Sequence, residues 1–157
     1  MSAVLYRRSI STDVLPMARI RAREWGGLEY WRTRIAGYLE GEINPQRALA
    51  PRRCYVAVEE SSVVGFVAGH LTRRYGCEGE LEWINVIAER RGSGVASELL
   101  RRLAGWFVQQ QAFRVCVDVD PSNTTARAFY TRHGAERLNA HWLVWNDIRK
   151  VLGKRHL

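Results

Sequence analysis

The residues of this chain best suited to chemistry are two carboxylates two positions apart, Glu80 and Glu82, and a basic turn punctuated by glycine, Arg90-Arg91-Gly92-Ser93-Gly94. Glu80 and Glu82 begin a run rich in β-branched and aromatic residues that reads as a strand over 81–87, and alternate positions of a strand share a face. A carboxylate on such a face inside an apolar cleft has a raised pKa and can take a proton from a substrate. The plainer alternative is a pair of solvent-facing acids, or partners of nearby arginines. Past this run, Gly92 and Gly94 break the pattern, and Ala96, Leu99, Leu100, Leu103 and Phe107 fall on one face of a helix. The turn therefore opens a helix N-terminus, whose first amides lack partners and carry the positive end of the dipole. The two glycines let an anion approach that backbone, and Arg90 and Arg91 add charge. The chemistry this stretch suits is phosphate binding.

Two common phosphate-binding turns do not match. A P-loop requires a Lys after its second glycine, and none is present. A dinucleotide fingerprint would use Gly92 and Gly94 but meets Ser97 at its third glycine, with Asp118 and Asp120 a little beyond the place of the ribose-binding acid. Its position past the middle of the chain leaves too little sequence to build the parallel sheet it needs.

A third possibility fits. Arg91-Gly-Ser-Gly94-Val-Ala96 resembles the pyrophosphate-binding motif of the GNAT acetyltransferases, Arg/Gln-x-x-Gly-x-Gly/Ala. Asn123-Thr-Thr-Ala126-Arg-Ala-Phe129-Tyr130-Thr-Arg-His133-Gly134-Ala135 resembles that family's downstream Asn-x-x-Ala-x-x-Phe-Tyr block, with Ala135 where Phe is usual. The two blocks occur in order with one strand-like segment between them. The first half of the chain resembles the family only in the order of its elements.

The elements that must position these residues read as follows. A first strand covers 3–8, and Ser11-Thr12-Asp13 is an N-cap for a helix carrying Val14, Leu15, Ala18, Ile20 and Ala22 inward, with Arg19, Arg21 and Arg23 outside. Gly26-Gly27 ends it, and a second helix runs over 28–39. Residues 42–51 are expected as loop, with a turn of helix at 46–49. Strands at 54–58 and 63–71 form a hairpin, in which Gly65 and Gly69 signal bulging or close packing. After the central strand, the cradle and its helix come a strand at 113–119, a helix at 124–133 capped by Asn123, short strands at 137–138 and 141–147, and a tail helix at 148–152. The expected fold is an α/β single domain over 1–157, a GNAT-type mixed central sheet of order β-α-α-β-β-β-α-β-α-β-β, with strands splayed at the cofactor site as the resemblance implies.

Composition bounds the rest. The chain has 157 residues, 46% hydrophobic and 25% charged, the profile of one ordinary globular domain. No signal peptide or membrane-length apolar run is evident, so a cytoplasmic protein without membrane partners is expected. The net charge of +8 comes from arginines spread along the chain, without a nucleic-acid motif. Cys54 and Cys116 read as buried small hydrophobes, and Cys77 as a loop thiol open to exposure. His70, His133, His141 and His156 show no paired spacing, and no metal is expected.

The resemblance implies an acetyl-CoA-dependent N-acetyltransferase. The amides of Arg91, Gly92, Ser93, Gly94, Val95 and Ala96 would hold the pyrophosphate, with Arg91 assisting. Backbone groups of Ile84 and Val86 would line the pantetheine arm, and Asn123 and Tyr130 would face the cofactor. Glu80 or Glu82 would be the base, with Glu80 ahead by its place near the start of the strand, and Tyr130 the general acid. The acceptor is a primary amine on a small molecule or on a peptide or protein, bordered by aromatics among Trp25, Tyr30, Trp31, Trp142 and Trp145. The alternatives are an inactive CoA-binding module and a basic nucleic-acid-binding protein. The edge strands of an open sheet also allow a homodimer.

Overall fold

The computed structural model describes residues 3–45 and 47–153. The elements in order are β1 (Val4–Arg8), α1 (Val14–Glu24), α2 (Leu28–Leu39), β2 (Ala48–Glu59), β3 (Ser62–Thr72), β4 (Gly79–Val86), α3 (Val95–Gln109), β5 (Val115–Asp118), α4 (Thr124–Arg132), β6 (Glu136–Arg137), β7 (Trp142–Trp145) and α5 (Arg149–Gly153). The strands form a single seven-stranded sheet in the order β1-β2-β3-β4-β5-β7-β6. The expected α/β layout and mixed sheet are present. Among the described strands only β4 and β5 pair in parallel, which removes the dinucleotide-fold rival, since that requires a continuous parallel sheet.

Apolar residues from both faces of the sheet drive the packing. On one face Leu99, Leu103 and Phe107 of α3 meet Ala57, Val67 and Val117, with Val151 of α5 joining them. On the other, Met17 and Ala18 of α1 and Ile35 and Tyr38 of α2 meet Val56, Phe66, Ala68 and Trp83. Gly69 and Gly79 give α3 its close approach: a Cβ on Gly79 would lie 2.5 Å from Phe107 Cε1, and one on Gly69 3.0 Å from Phe107 Cζ.

Two departures from regularity shape the centre. The β3–β4 register steps from Ala68↔Trp83 to Gly69↔Leu81, so Glu82 is an extra residue on β4. A bulge of this kind breaks alternation and bends the strand. Leu81 accordingly joins the core under α3, whereas Trp83, two residues on, joins the opposite core. The second departure is that β4 pairs with β5 only at Gly79↔Val115, Glu80↔Cys116 and Leu81↔Val117. From Glu82 onward the two strands part, and a cleft opens between them.

Several expectations are corrected. β2 begins at Ala48, inside the segment read as loop, and passes Ala50-Pro51 through a cis peptide and a register shift. Ala48 and Leu49 are therefore strand, not a helical turn; Gln46 and His156 lie outside the described residues. Ser11–Asp13 forms a 3-10 turn, and Asp13 makes no side-chain cap to α1. It is buried and binds the Ile10 amide (2.8 Å) and the Arg7 guanidinium (2.8 Å). Arg21 is not outside: it stacks 4.2 Å over Trp31 and donates to Asn85 Oδ1. Cys77 is buried beside Cys116, Trp142 and Val144, because its amide bonds the Arg74 carbonyl and folds the loop under the sheet. No described helix is long and apolar enough to cross a membrane.

Candidate active site

The cleft between β4 and β5 has a volume of about 1280 Å³ and runs from Glu80 and Glu82 at one end to the turn before α3 at the other. Its two ends differ in chemistry because one strand and one turn supply them in succession.

At the turn, Gly92 and Gly94 have φ of +77° and +89°, a conformation that favours glycine. A Cβ at either position would project into open space. Gly92, Gly94, Arg91 and Ala96 line the cleft, and the first amides of the fifteen-residue α3 point outward as at any helix N-terminus. This geometry fits a phosphate group: a positive helix end, glycines that leave room, and guanidinium groups at the rim. Arg91 and Arg90 are not loose, since Arg91 pairs with Glu24 (2.8 Å) and Arg90 with Glu59. The side chain of Val95 is buried in the core, and Ser93 donates its hydroxyl to the Arg90 carbonyl; neither of these two expected cofactor residues lines the cleft. Ile84 and Val86 line the wall between the ends.

At the other end Glu80 and Glu82 come together with His70 of β3. Glu80 is 5% exposed and accepts from Arg74 Nε at 3.1 Å. Glu82 accepts no protein hydrogen bond among the described residues. Burial pushes its carboxyl above the usual range; His70 opposes that, the neighbouring Glu80 charge adds to it, and Arg34 and Arg21 oppose it more weakly. The spacing of His70, Glu80 and Glu82 is compatible with metal ligation. However, the Arg74 guanidinium already neutralises Glu80, and the Tyr38 hydroxyl occupies His70 Nδ1 at 2.8 Å. The cluster is therefore a polar network of the sheet.

Tyr130 stands on α4 against Trp145, edge to face at 5.7 Å, and lines the cleft. Burial pushes its phenol well above the ordinary tyrosine value. Asn123 lines the same wall while its Oδ1 caps α4 by accepting from the Ala126 amide at 3.1 Å. Of the aromatics expected near an acceptor, Trp25 and Trp142 border the cleft. Trp31 and Trp145 are core residues whose indole N–H groups bond the carbonyls of Trp25 and His133. Tyr30 is exposed and packs on Trp25.

Sequence reasoning missed His70, Tyr38, Arg74 and Arg21 at this site. A histidine inside the apolar run 63–71 was the available signal for His70.

The Acetyltransferase (GNAT) family model matches residues 17–135. The chain is 29% identical over 107 residues to N-alpha-acetyltransferase MAK3 of Arabidopsis thaliana, covering 66% of this chain and 56% of that protein, so it spans little more than half of that relative. Among solved structures, the aminoglycoside N-acetyltransferase AAC(6')-Iy in complex with CoA superposes with a TM-score of 0.71 at 19% identity, covering 88% of this chain and 91% of the other. The PaiA N-acetyltransferase of Thermoplasma acidophilum in complex with coenzyme A superposes at 0.67 and 12% identity, covering 90% and 97%. These likenesses show a shared fold.

Proposed function

Because the chain belongs to the acetyltransferase (GNAT) family, we propose that it moves an acetyl group from acetyl-CoA to a primary amine by direct transfer in a ternary complex. The observation that carries this reading is that one cleft joins an anion cradle to an uncommitted, elevated carboxylate. Acetyl-CoA supplies an activated thioester. The Arg91 amide is committed to the Ala88 carbonyl, so the amides from Gly92 to Ala96 hold the pyrophosphate, with the Arg91 guanidinium at the rim, and Ile84 and Val86 line the arm. Asn123 and Tyr130 form the far wall.

An amine attacks only as the neutral base, so an ammonium must lose a proton in the site. Glu82 is the better base. Glu80 is tied to Arg74, whereas Glu82 faces the cleft with a raised pKa, which makes it a stronger proton acceptor once ionised. Glu80 adds the second negative charge that keeps that pKa high. Tyr130 donates a hydrogen bond to the departing sulfur. Its phenol is a far weaker acid than a thiol of pKa about 8.5, so it solvates the thiolate rather than transferring its proton outright. The burial of Glu80 and partial burial of Glu82 favour catalysis over an inactive CoA-binding module, in which solvated acids would be expected.

The acceptor is an amine of a small molecule or of a peptide or protein, admitted past Trp25 and Trp142. A relative named as an N-alpha-acetyltransferase and fold neighbours named for an aminoglycoside and for a complex bound to a peptide make both classes worth testing. The test is CoA release measured with a thiol reagent across a panel of primary amines, aminoglycosides and short peptides. Acetyl-CoA-dependent, saturable release with at least one amine supports the reading; release that never exceeds the amine-free rate rejects it.

A further inference from the structure

His70 is fully buried near the C-terminal end of β3, opposite Glu80 in the β3–β4 register. Its Nδ1 lies 2.8 Å from the Tyr38 hydroxyl. Its Nε2 lies 3.6 Å from Glu80 Oε1 and makes no hydrogen bond, and Nδ1 is 3.9 Å from Glu82 Oε1. Buried polar atoms are nearly always hydrogen-bonded, so an orphaned imidazole nitrogen beside two cleft carboxylates calls for an explanation.

We propose that Tyr38 and His70 form a positioning pair: the Tyr38 hydroxyl fixes the imidazole with its proton on Nε2, aimed at Glu80, and so leaves Glu82 as the group that takes the amine's proton. This rests on the acetyl-transfer reading above.

Tyr38 is 1% exposed, and its ring is clamped edge to face on Trp83 at 4.9 Å and under Arg52 at 4.6 Å. Burial pushes its phenol far above the ordinary value, so the hydroxyl keeps its proton and must donate it. The acceptor in reach is Nδ1. A ring nitrogen that accepts carries no proton, so the neutral imidazole has its N–H on Nε2. That N–H faces Glu80 Oε1, which Arg74 Nε holds from another side at 3.1 Å. Glu80 is thereby hydrogen-bonded by Arg74 and faced by the imidazole N–H from beyond hydrogen-bond distance.

The charged and titratable groups facing the ring and Glu82 are Arg21 of α1, Arg34 and Tyr38 of α2, Arg52 and Cys54 of β2, Glu80 of β4 and Arg74 before it. Tyr38→Phe alters one of these by a single hydroxyl and keeps the packing. It removes the donor from which Nδ1 accepts, so the ring loses the contact that sets its tautomer and aims it at Glu80, beside Glu82.

The test has two parts. In nitrogen-15 spectra of the free protein, with the His70 signals assigned by their loss in His70→Gln, wild type shows Nε2 protonated and Nδ1 bare. In steady-state kinetics, Tyr38→Phe displaces the acid limb of kcat/KM that Glu82 sets, with KM for acetyl-CoA unchanged. His70→Gln, which keeps an N–H donor, retains more kcat than His70→Leu. An Nδ1-protonated His70 in an active enzyme, or a Tyr38→Phe profile that superimposes on wild type, overturns the pairing. A wild-type protein with the stated tautomer that acetylates no amine instead overturns the acetyl-transfer reading and the Glu82 role with it. The tautomer and the Tyr38→Phe profile decide the matter even if the His70 variants do not fold.

Discussion

Glu82 is a poor surface residue and a good base for the same reason. Its carboxyl is raised by burial and by Glu80, so the folded protein holds that proton more tightly than the unfolded chain does. The stabilising effect of this shift is present below the unfolded carboxyl pKa of about 4.3 and is lost as pH rises through the higher folded value. At neutral pH the ionised Glu82 therefore weakens the fold while it serves the reaction. Glu82→Gln should lower kcat by about 10²–10⁴-fold and leave the melting temperature unchanged or higher; paired kinetics and calorimetry check this. A variant that loses stability and activity together would mean that Glu82 holds the sheet rather than the proton. In the wild type, kcat/KM should rise with pH through a limb above the ordinary carboxylate range. Tyr130→Phe should reduce kcat with little change in KM. Because burial keeps that phenol protonated, no descending limb below pH about 10 should disappear with it.

The elements show why some of this was legible in the sequence and some was not. Glycine in a turn and apolar spacing on a helix are local signals, and they located the Gly92–Gly94 turn and α3 within a residue or two. The bulge at Glu82 left no such mark, because Leu81 and Trp83 look like regular alternation; only the pairing of β4 with β3 makes Glu82 the extra residue. Arg21 sits among Arg19 and Arg23 and reads as a solvated face. Its burial depends on Trp31 and on Asn85, 64 residues away. His70 looks like one more strand residue until Tyr38 of α2 and the acids of β4 are folded against it. Contacts between distant segments set these features, and periodicity does not encode them. The bulge also depends on α3. A methyl group at Gly69 would meet the Glu80 carbonyl at 2.9 Å and Phe107 at 3.0 Å. Gly69→Ala should thus destabilise the fold by about 1–3 kcal/mol and lower kcat more than it raises KM for acetyl-CoA. A stable, fully active Gly69→Ala would show that the sheet centre adapts freely.

At the scale of the whole molecule the cleft is a seam. The strands β1 to β4 and β5, β7 and β6 are joined through three residue pairs between β4 and β5, and α3 crosses behind them from β4 to β5. A ligand laid along β4 with its pyrophosphate on the α3 turn would contact groups from both sides of this seam, including Ile84, Gly94 and Asn123. Binding to the folded state alone raises stability by mass action, about 2.7 kcal/mol at a hundredfold excess over Kd. Acetyl-CoA and CoA should therefore raise the melting temperature, and NAD should not. Gly94 separates the backbone part of this effect from the charge part. At φ +89° any side chain is strained, yet a Cβ there meets nothing within 4 Å. Gly94→Ala should lower the ligand-free melting temperature but keep much of the CoA shift. Gly94→Glu should share the ligand-free loss and abolish the shift, because its carboxylate stands where the pyrophosphate would lie. Equal CoA shifts in both variants would place the anion elsewhere and detach α3 from the cofactor.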